Sequence, residues 1–230
     1  MADYNTYRSA QSVGTRTGAV DEGLRAYMNK VYGLMAVGMG VTAVAAYGIS
    51  SAAVDSAGQL TQLGTAIYAS PLKWVIVFAP LLMVFAFGAA LNRLSVQAAT
   101  MMFYGFAALM GLSISSIFLV YTPFSIVQTF LVTAIAFSGL SLWGYTTKKD
   151  ISGWGSFLIM GVIGLIVASI VNIFLASSAV AFAISVLGVL IFAGLTAYDT
   201  QNIKNIYVSH AAHGDSEWLG KAAIMGALQL

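Results

Sequence analysis

The chain has no cysteine, only three prolines and two histidines, and 8% charged residues. Without cysteine there can be no disulfides, no thiolate metal site and no cysteine nucleophile. Soluble domains carry roughly 25% charged residues, so the scarcity of charge excludes an ordinary water-facing surface. Glycine-rich phosphate loops, HExxH, a serine beside a plausible base and a basic stripe interleaved with aromatics are all missing. Catalysis needs paired groups within hydrogen-bond reach, and the apolar segments offer one aspartate with no histidine or second acid. The chain is therefore not expected to be an enzyme, to hold a cofactor or to bind nucleic acid.

What fills the chain is apolar: 59% of its 230 residues are hydrophobic. The expected fold class is all-α, a polytopic membrane helix bundle, since a spanning helix needs about 20 residues and the length suits six or seven of them. The expected spans run from Leu24 to Ile49, Pro71 to Leu91, Val96 to Val120, Pro123 to Tyr145, Trp154 to Leu175 and Ala179 to Tyr207. A seventh segment, Trp218 to Leu230, is too short to span and carries no helix-end signal, so it reads as a truncated seventh helix. Residues 1–20 read as a mobile cytoplasmic tail and 21–230 as a single transmembrane bundle domain. That tail lacks the apolar core of a cleavable signal, which leaves the first span as the insertion signal.

Within this frame the stretch GLTAYDTQNIKNIY, Gly194 to Tyr207, stands out. An uncharged run of about nineteen residues leads into Asp199, nearly the hydrocarbon thickness at 1.5 Å per residue. An ionised Asp at the bilayer centre costs about 2.5–3.5 kcal/mol, so an acid at this depth must face protein, a partner or water. Small residues Gly33, Ala36, Gly40 and Ala43 give the first span a face for close helix packing. Pro80 should kink the second span. Ser113, Ser115 and Ser116 interrupt the third; hydroxyls there bond back to the backbone, cross-link helices or line a hydrated path. Asn172 in the fifth span reads as an interhelical hydrogen bond or as part of the same path. His210, His213, Asp215 and Glu217 read as a solvated loop, because Gly214 breaks the helix that would align them as metal ligands.

Charge placement orients the bundle. Arg8, Arg16, Arg25, Lys30, Arg93, Lys148, Lys149 and Lys204 fall on the side of the N-terminus, Lys73 alone falls opposite, and Lys221 is undecided. Basic residues near helix ends stay cytoplasmic, which places the N-terminus inside. Asp199 and Arg93 then share the cytoplasmic end. An arginine beside a buried carboxylate favours its charged form while burial alone favours the neutral one, so the two could form a pH-sensitive latch; the other reading is that both simply reach water.

The segments GLSISSIFLVYTPFSIVQTF, GYTTKKD, GWGSFLIMGVIGLIVASIVNIFL and FAGLTAYDTQNIKNIY resemble the Bax inhibitor-1 family, in particular its bacterial members, over roughly Asp21 to Leu230. The resemblance implies a seven-helix fold with the last helix ringed by six others, in the bacterial inner membrane, and a pH-sensitive calcium leak. It also implies a pair of acids that share a proton and shut the pore. The first maps onto Asp199; the second is expected after Leu230. Arg93 is the positional match to an arginine of the latch. Calcium is then a permeant ion that Asp199 binds weakly, as one carboxylate with hydroxyls, carbonyls and water can do. The expected partners are the lipid bilayer and calcium, with the protein a monomer. The alternative is a regulator that binds a membrane protease or stress-response partner.

Overall fold

The structure, a computed structural model, describes the backbone of residues 3–91, 93–210 and 216–230 and the side chains from residue 21 onward. Every regular element among them is helical. Helix α1 spans Asp3–Ala53, α2 Leu72–Ala90, α3 Val96–Ile114, α4 Pro123–Thr146, α5 Trp154–Leu175, α6 Ser178–His210 and α7 Ser216–Gln229. Six of them, with α1 counted from Asp21 and α3 extended to Val120, are long and apolar enough to cross a membrane. At 14 residues α7 is shorter than a span requires.

Local chemistry explains most boundaries. Pro71 and Pro123 stand at helix starts, where a missing N–H costs nothing and φ is already set. Ser95 caps α3 by accepting the Ala98 N–H at 3.2 Å. The first span was expected to start at Leu24, yet α1 is helical from Asp3. Asp21 and Glu22 resemble a helix start, but acids are equally at home on an exposed helix interior, and no Pro interrupts that stretch. The third span is not continuous: α3 ends at Ile114, Ser115 and Ser116 form a turn, and one further helical turn covers Ile117–Val120. Ahead of α2, a helical turn Gln62–Gly64 widens into a π-helical turn, Thr65–Ala69.

The chain divides into two compact units, Met1–Gln128 with His210–Gln229, and Thr129–Ser209 with Leu230. In the first unit α3 is the common wall: α1, α2 and α7 all pack on it, and α7 also packs on α1. The expected small-residue face of α1 is corrected here. Gly33, Ala36, Gly40 and Ala43 are exposed, and the packed seam is instead Val31, Gly38 and Ala46. A Cβ on Gly38 would stand 2.8 Å from the Phe103 ring, and Thr42 Oγ1 donates to the Ala107 carbonyl at 2.8 Å. The packed seam combines small Gly38 and Ala46 with Val31, and Phe103 and Gly111 of α3 face it. Pro80, expected to kink the second span, is buried inside α2.

In the second unit, α5 and α6 form a hairpin whose closing turn is two residues long. Ala176 takes a left-handed conformation, φ 48°, a position where a Cβ is tolerated at a cost of about 1–2 kcal/mol. Asn172 secures it: its carbonyl accepts the Ala176 N–H at 2.8 Å and its side-chain Oδ1 accepts the Ser177 N–H at 3.1 Å. Down the hairpin, glycine on one helix receives a side chain of the other. Gly161 faces Ile191, Gly194 faces Leu158 and Gly155 faces Tyr198. Elsewhere large apolar side chains point outward, among them Ile135, Ile173, Phe174 and Phe182, as a lipid solvent demands.

Candidate functional site

The buried residues of the second unit gather where α6 carries the YDTQ stretch. Ala197, Thr200, Gln201 and Ile203 are buried on α6, with Ser141 and Gly144 on α4, and Ile151 in the connection between α4 and α5. Gly144 lets α4 and α6 touch backbone to backbone: a Cβ there would lie 2.5 Å from the Ala197 carbonyl oxygen. Three residues along, Thr200 Oγ1 sits 3.5 Å from Ser141 Oγ while donating to the Thr196 carbonyl at 2.7 Å. Gly144→Val is therefore expected to lower stability by about 1–3 kcal/mol, as overpacking does, and to depress the melting temperature of the detergent-solubilised protein, whereas the same change at open Gly139 is not.

Two side chains missed by sequence reasoning bind the charged turn to α6. Gln201 accepts the Ile151 N–H on Oε1 at 2.9 Å and donates from Nε2 to the Lys149 carbonyl at 2.8 Å. Lys204 donates to the Tyr145 carbonyl at 2.8 Å, with its ammonium 5.5 Å from the centre of the Tyr145 ring. A cation on the last carbonyls of α4 meets the negative end of the helix dipole. Spacing offered a hint, since 197, 200, 201 and 204 lie on one helical face, but nothing in the sequence names a partner some fifty residues away.

In the turn itself, Asp150 accepts the Ser152 N–H at 2.9 Å, and that bond holds its carboxyl below the ordinary value of 3.8. The sign follows: a carboxylate whose folded value is depressed steadies the turn above the ordinary value, and the contribution is lost as pH falls through the lowered one. A side-chain NMR titration of Asp150 is expected to give a midpoint below 3.8, and Ser152→Pro, which removes the N–H, is expected to return it upward.

Asp199 projects from the edge of this packed face. It is half-buried, and within its own unit its carboxylate has neither an ion-pair nor a hydrogen-bond partner. The axial distance from Ser178 to Asp199 is about 32 Å at 1.5 Å per residue, close to the hydrocarbon thickness of about 30 Å. Arg93 belongs to the first unit, exposed in the turn after α2, where its N–H donates to the Ala90 carbonyl. Ser113, Ser115 and Ser116 also lie in the first unit. Ser115 is fully buried and donates to the Leu112 carbonyl at 2.7 Å, while the Tyr68 hydroxyl meets its Oγ at 2.8 Å. Ser113 and Ser116 line a cavity of about 300 Å³ together with Tyr68, Lys73 and Trp74. Asn172, as described, closes the α5–α6 turn. His210 stacks on Trp218 with ring centres 4.0 Å apart, while His213 and Asp215 lie outside the described residues. Three or more potential metal-ligating side chains do not cluster anywhere among the described residues.

Residues 24–230 match a family model described as inhibitor of apoptosis-promoting Bax1. The chain is similar to an uncharacterised protein of Caulobacter vibrioides, at 48% identity across 92% of this chain and 84% of the relative. It is also 43% identical to the inner membrane protein YbhL of Escherichia coli, over 90% of this chain and 86% of YbhL. An uncharacterised protein of Rickettsia prowazekii is 39% identical over 97% of this chain and 90% of its own length.

Proposed function

The chain belongs to the Bax inhibitor-1 family of membrane proteins, and on that premise we propose that it is a pH-sensitive calcium leak whose gate includes Asp199. The observation that supports this most directly is the half-buried Asp199 carboxylate, lacking an ion-pair or hydrogen-bond partner in its own unit, at the end of the apolar stretch of α6. Intramembrane acids that are not neutralised by a structural partner mark ion and proton pathways. A carboxylate supplemented by water and carbonyls binds calcium weakly, and weak binding is what conduction requires.

In this reading the N-terminus is cytoplasmic, as the basic residues favour, and Asp199 stands at the cytoplasmic mouth. Gln201, Thr200 and Lys204 are positioning residues. They lock the rotation of α6 against α4 and the α4–α5 turn, so that Asp199 is presented at a fixed angle. As pH falls the carboxylate gains a proton, loses its attraction for a cation and can share that proton with a second acid, which shuts the path.

Calcium entry into dye-loaded liposomes carrying the protein, compared between about pH 6 and 8, tests this, since a titrating gate must pass more calcium at the higher pH. Rates no higher than in protein-free liposomes at every pH would remove the leak reading. A stoichiometric membrane partner recovered from native membranes would then point to a regulatory role instead.

A further inference from the structure

The cavity in the first unit lies between the start of α2, the π-helical turn before it and the end of α3. Its volume of about 300 Å³ reaches the lower end of the range for ligand sites, about 300–1,000 Å³. Its lining includes the aliphatic side chains of Ile67, Ile76, Val77 and Leu112. Among these, on the same stretches of chain, stand Lys73, Trp74, Tyr68, Ser113 and Ser116. Lys73 is exposed, and its ammonium sits 5.4 Å from the centre of the Trp74 ring. It has no acidic partner among the described residues.

The serines are distinguished by what they do not do. Ser138, Ser169 and Ser185, on other spans, each donate back to the carbonyl four residues earlier, the usual way a hydroxyl is satisfied in an apolar solvent. Ser113 and Ser116 make no such bond among the described residues, and both border the cavity. Ser115, between them in sequence, is already used by the Leu112 carbonyl and the Tyr68 hydroxyl. The cavity thus offers one cation without an acidic partner among the described residues and two open hydroxyls, with aliphatic side chains beside them.

We infer that this cavity holds the phosphate headgroup of an anionic phospholipid, with Lys73 on the phosphate, Ser113 and Ser116 on its oxygens, and the first acyl carbons against Ile76, Val77 and Leu112. Charge sets the occupant: a lone lysine with hydroxyl donors favours an anion and repels calcium. Access sets its source. Leu72, Val75 and Phe78 around Lys73 are exposed apolar side chains at the end of a span, so the approach is from the bilayer. The inference does not depend on the leak.

Native mass spectrometry of the full chain, released from nanodiscs of mixed phosphatidylglycerol and phosphatidylcholine, tests it. The wild type is expected to retain phosphatidylglycerol preferentially, and Lys73→Gln to weaken that retention about fivefold, the worth of one lysine near an anionic surface. Lys73→Arg restores retention, and Ser113→Ala with Ser116→Ala reduces it without moving the melting temperature. Equal retention of the two lipids, or retention unchanged in Lys73→Gln, overturns the inference. So does phosphatidylglycerol retention that is abolished by millimolar inorganic phosphate, which would make the cavity a site for soluble phosphate.

Discussion

Replacing Asp199 by Asn is expected to slow calcium entry at pH 8 by at least about tenfold and to abolish the difference between pH 6 and pH 8. The magnitude comes from charge. A unit negative charge about 4 Å from a divalent ion, at an effective dielectric of about 20, is worth several kcal/mol, and 1.4 kcal/mol is already a factor of ten. The sign comes from protonation: the amide imitates the neutral acid at every pH, so the variant should behave throughout as the wild type does at its lower end. Asp199→Glu keeps the charge and is expected to keep a pH response with altered rate. Liposome flux on the three proteins reads all of this. An Asn variant that conducts and responds to pH like the wild type would remove Asp199 from the gate, and attention would pass to whatever acid follows the sixth span. Melting temperatures should match across the three, because within its unit Asp199 contributes no hydrogen bond or ion pair whose loss would destabilise the fold.

Gln201→Leu should do the opposite, lowering stability whether or not any ion moves. The change is close in volume, yet it strands the Ile151 N–H and the Lys149 carbonyl. Ile151 is buried, so its unpaired N–H costs about 1–3 kcal/mol, whereas the carbonyl of exposed Lys149 can turn to water. For a chain of this length that is a fall of about 2–12 °C in melting temperature. Gln201→Glu is also expected to be damaging, because the end that donated to the Lys149 carbonyl becomes an acceptor facing an acceptor. Gln97→Leu on the exposed side of α3 is the control and should melt as the wild type does. Differential scanning fluorimetry in detergent suffices, and hydrogen exchange would locate the damage in the turn between α4 and α5. If Gln201→Leu melted with the wild type, the amide would not be holding that turn.

These two neighbours, separated by one residue, show what a sequence can and cannot convey about such a protein. The spans were legible because lipid imposes a length and a composition, and because Pro71 and Pro123 mark helix starts. Asp199 was legible for the same reason: a charge among uncharged neighbours is conspicuous in one dimension. Gln201 and Lys204 were not, since both are ordinary residues at a helix end and their partners are backbone atoms of a distant turn. The seam of α1 was misread because small residues alone do not say which face Phe103 and Gly111 of α3 will meet. Ser115 and Ser116 stand out in the sequence as polar, but nothing there shows that they sit in a turn dividing the third span, or that Ser115 meets the distant Tyr68 hydroxyl.

The two-residue turn between α5 and α6 bears on how the protein enters its membrane. A segment that must be carried across the hydrocarbon during synthesis brings its unpaired backbone groups with it, each at several kcal/mol. Here the N–H groups of Ala176 and Ser177 are already bonded to the carbonyl and side chain of Asn172, one turn back on the same helix. The tip of the hairpin is therefore small and uncharged, with two of its N–H groups satisfied within the hairpin itself. The fifth and sixth spans can cross together as a folded pair, so Asn172 would matter to the yield of inserted protein even if it touched no ion at all.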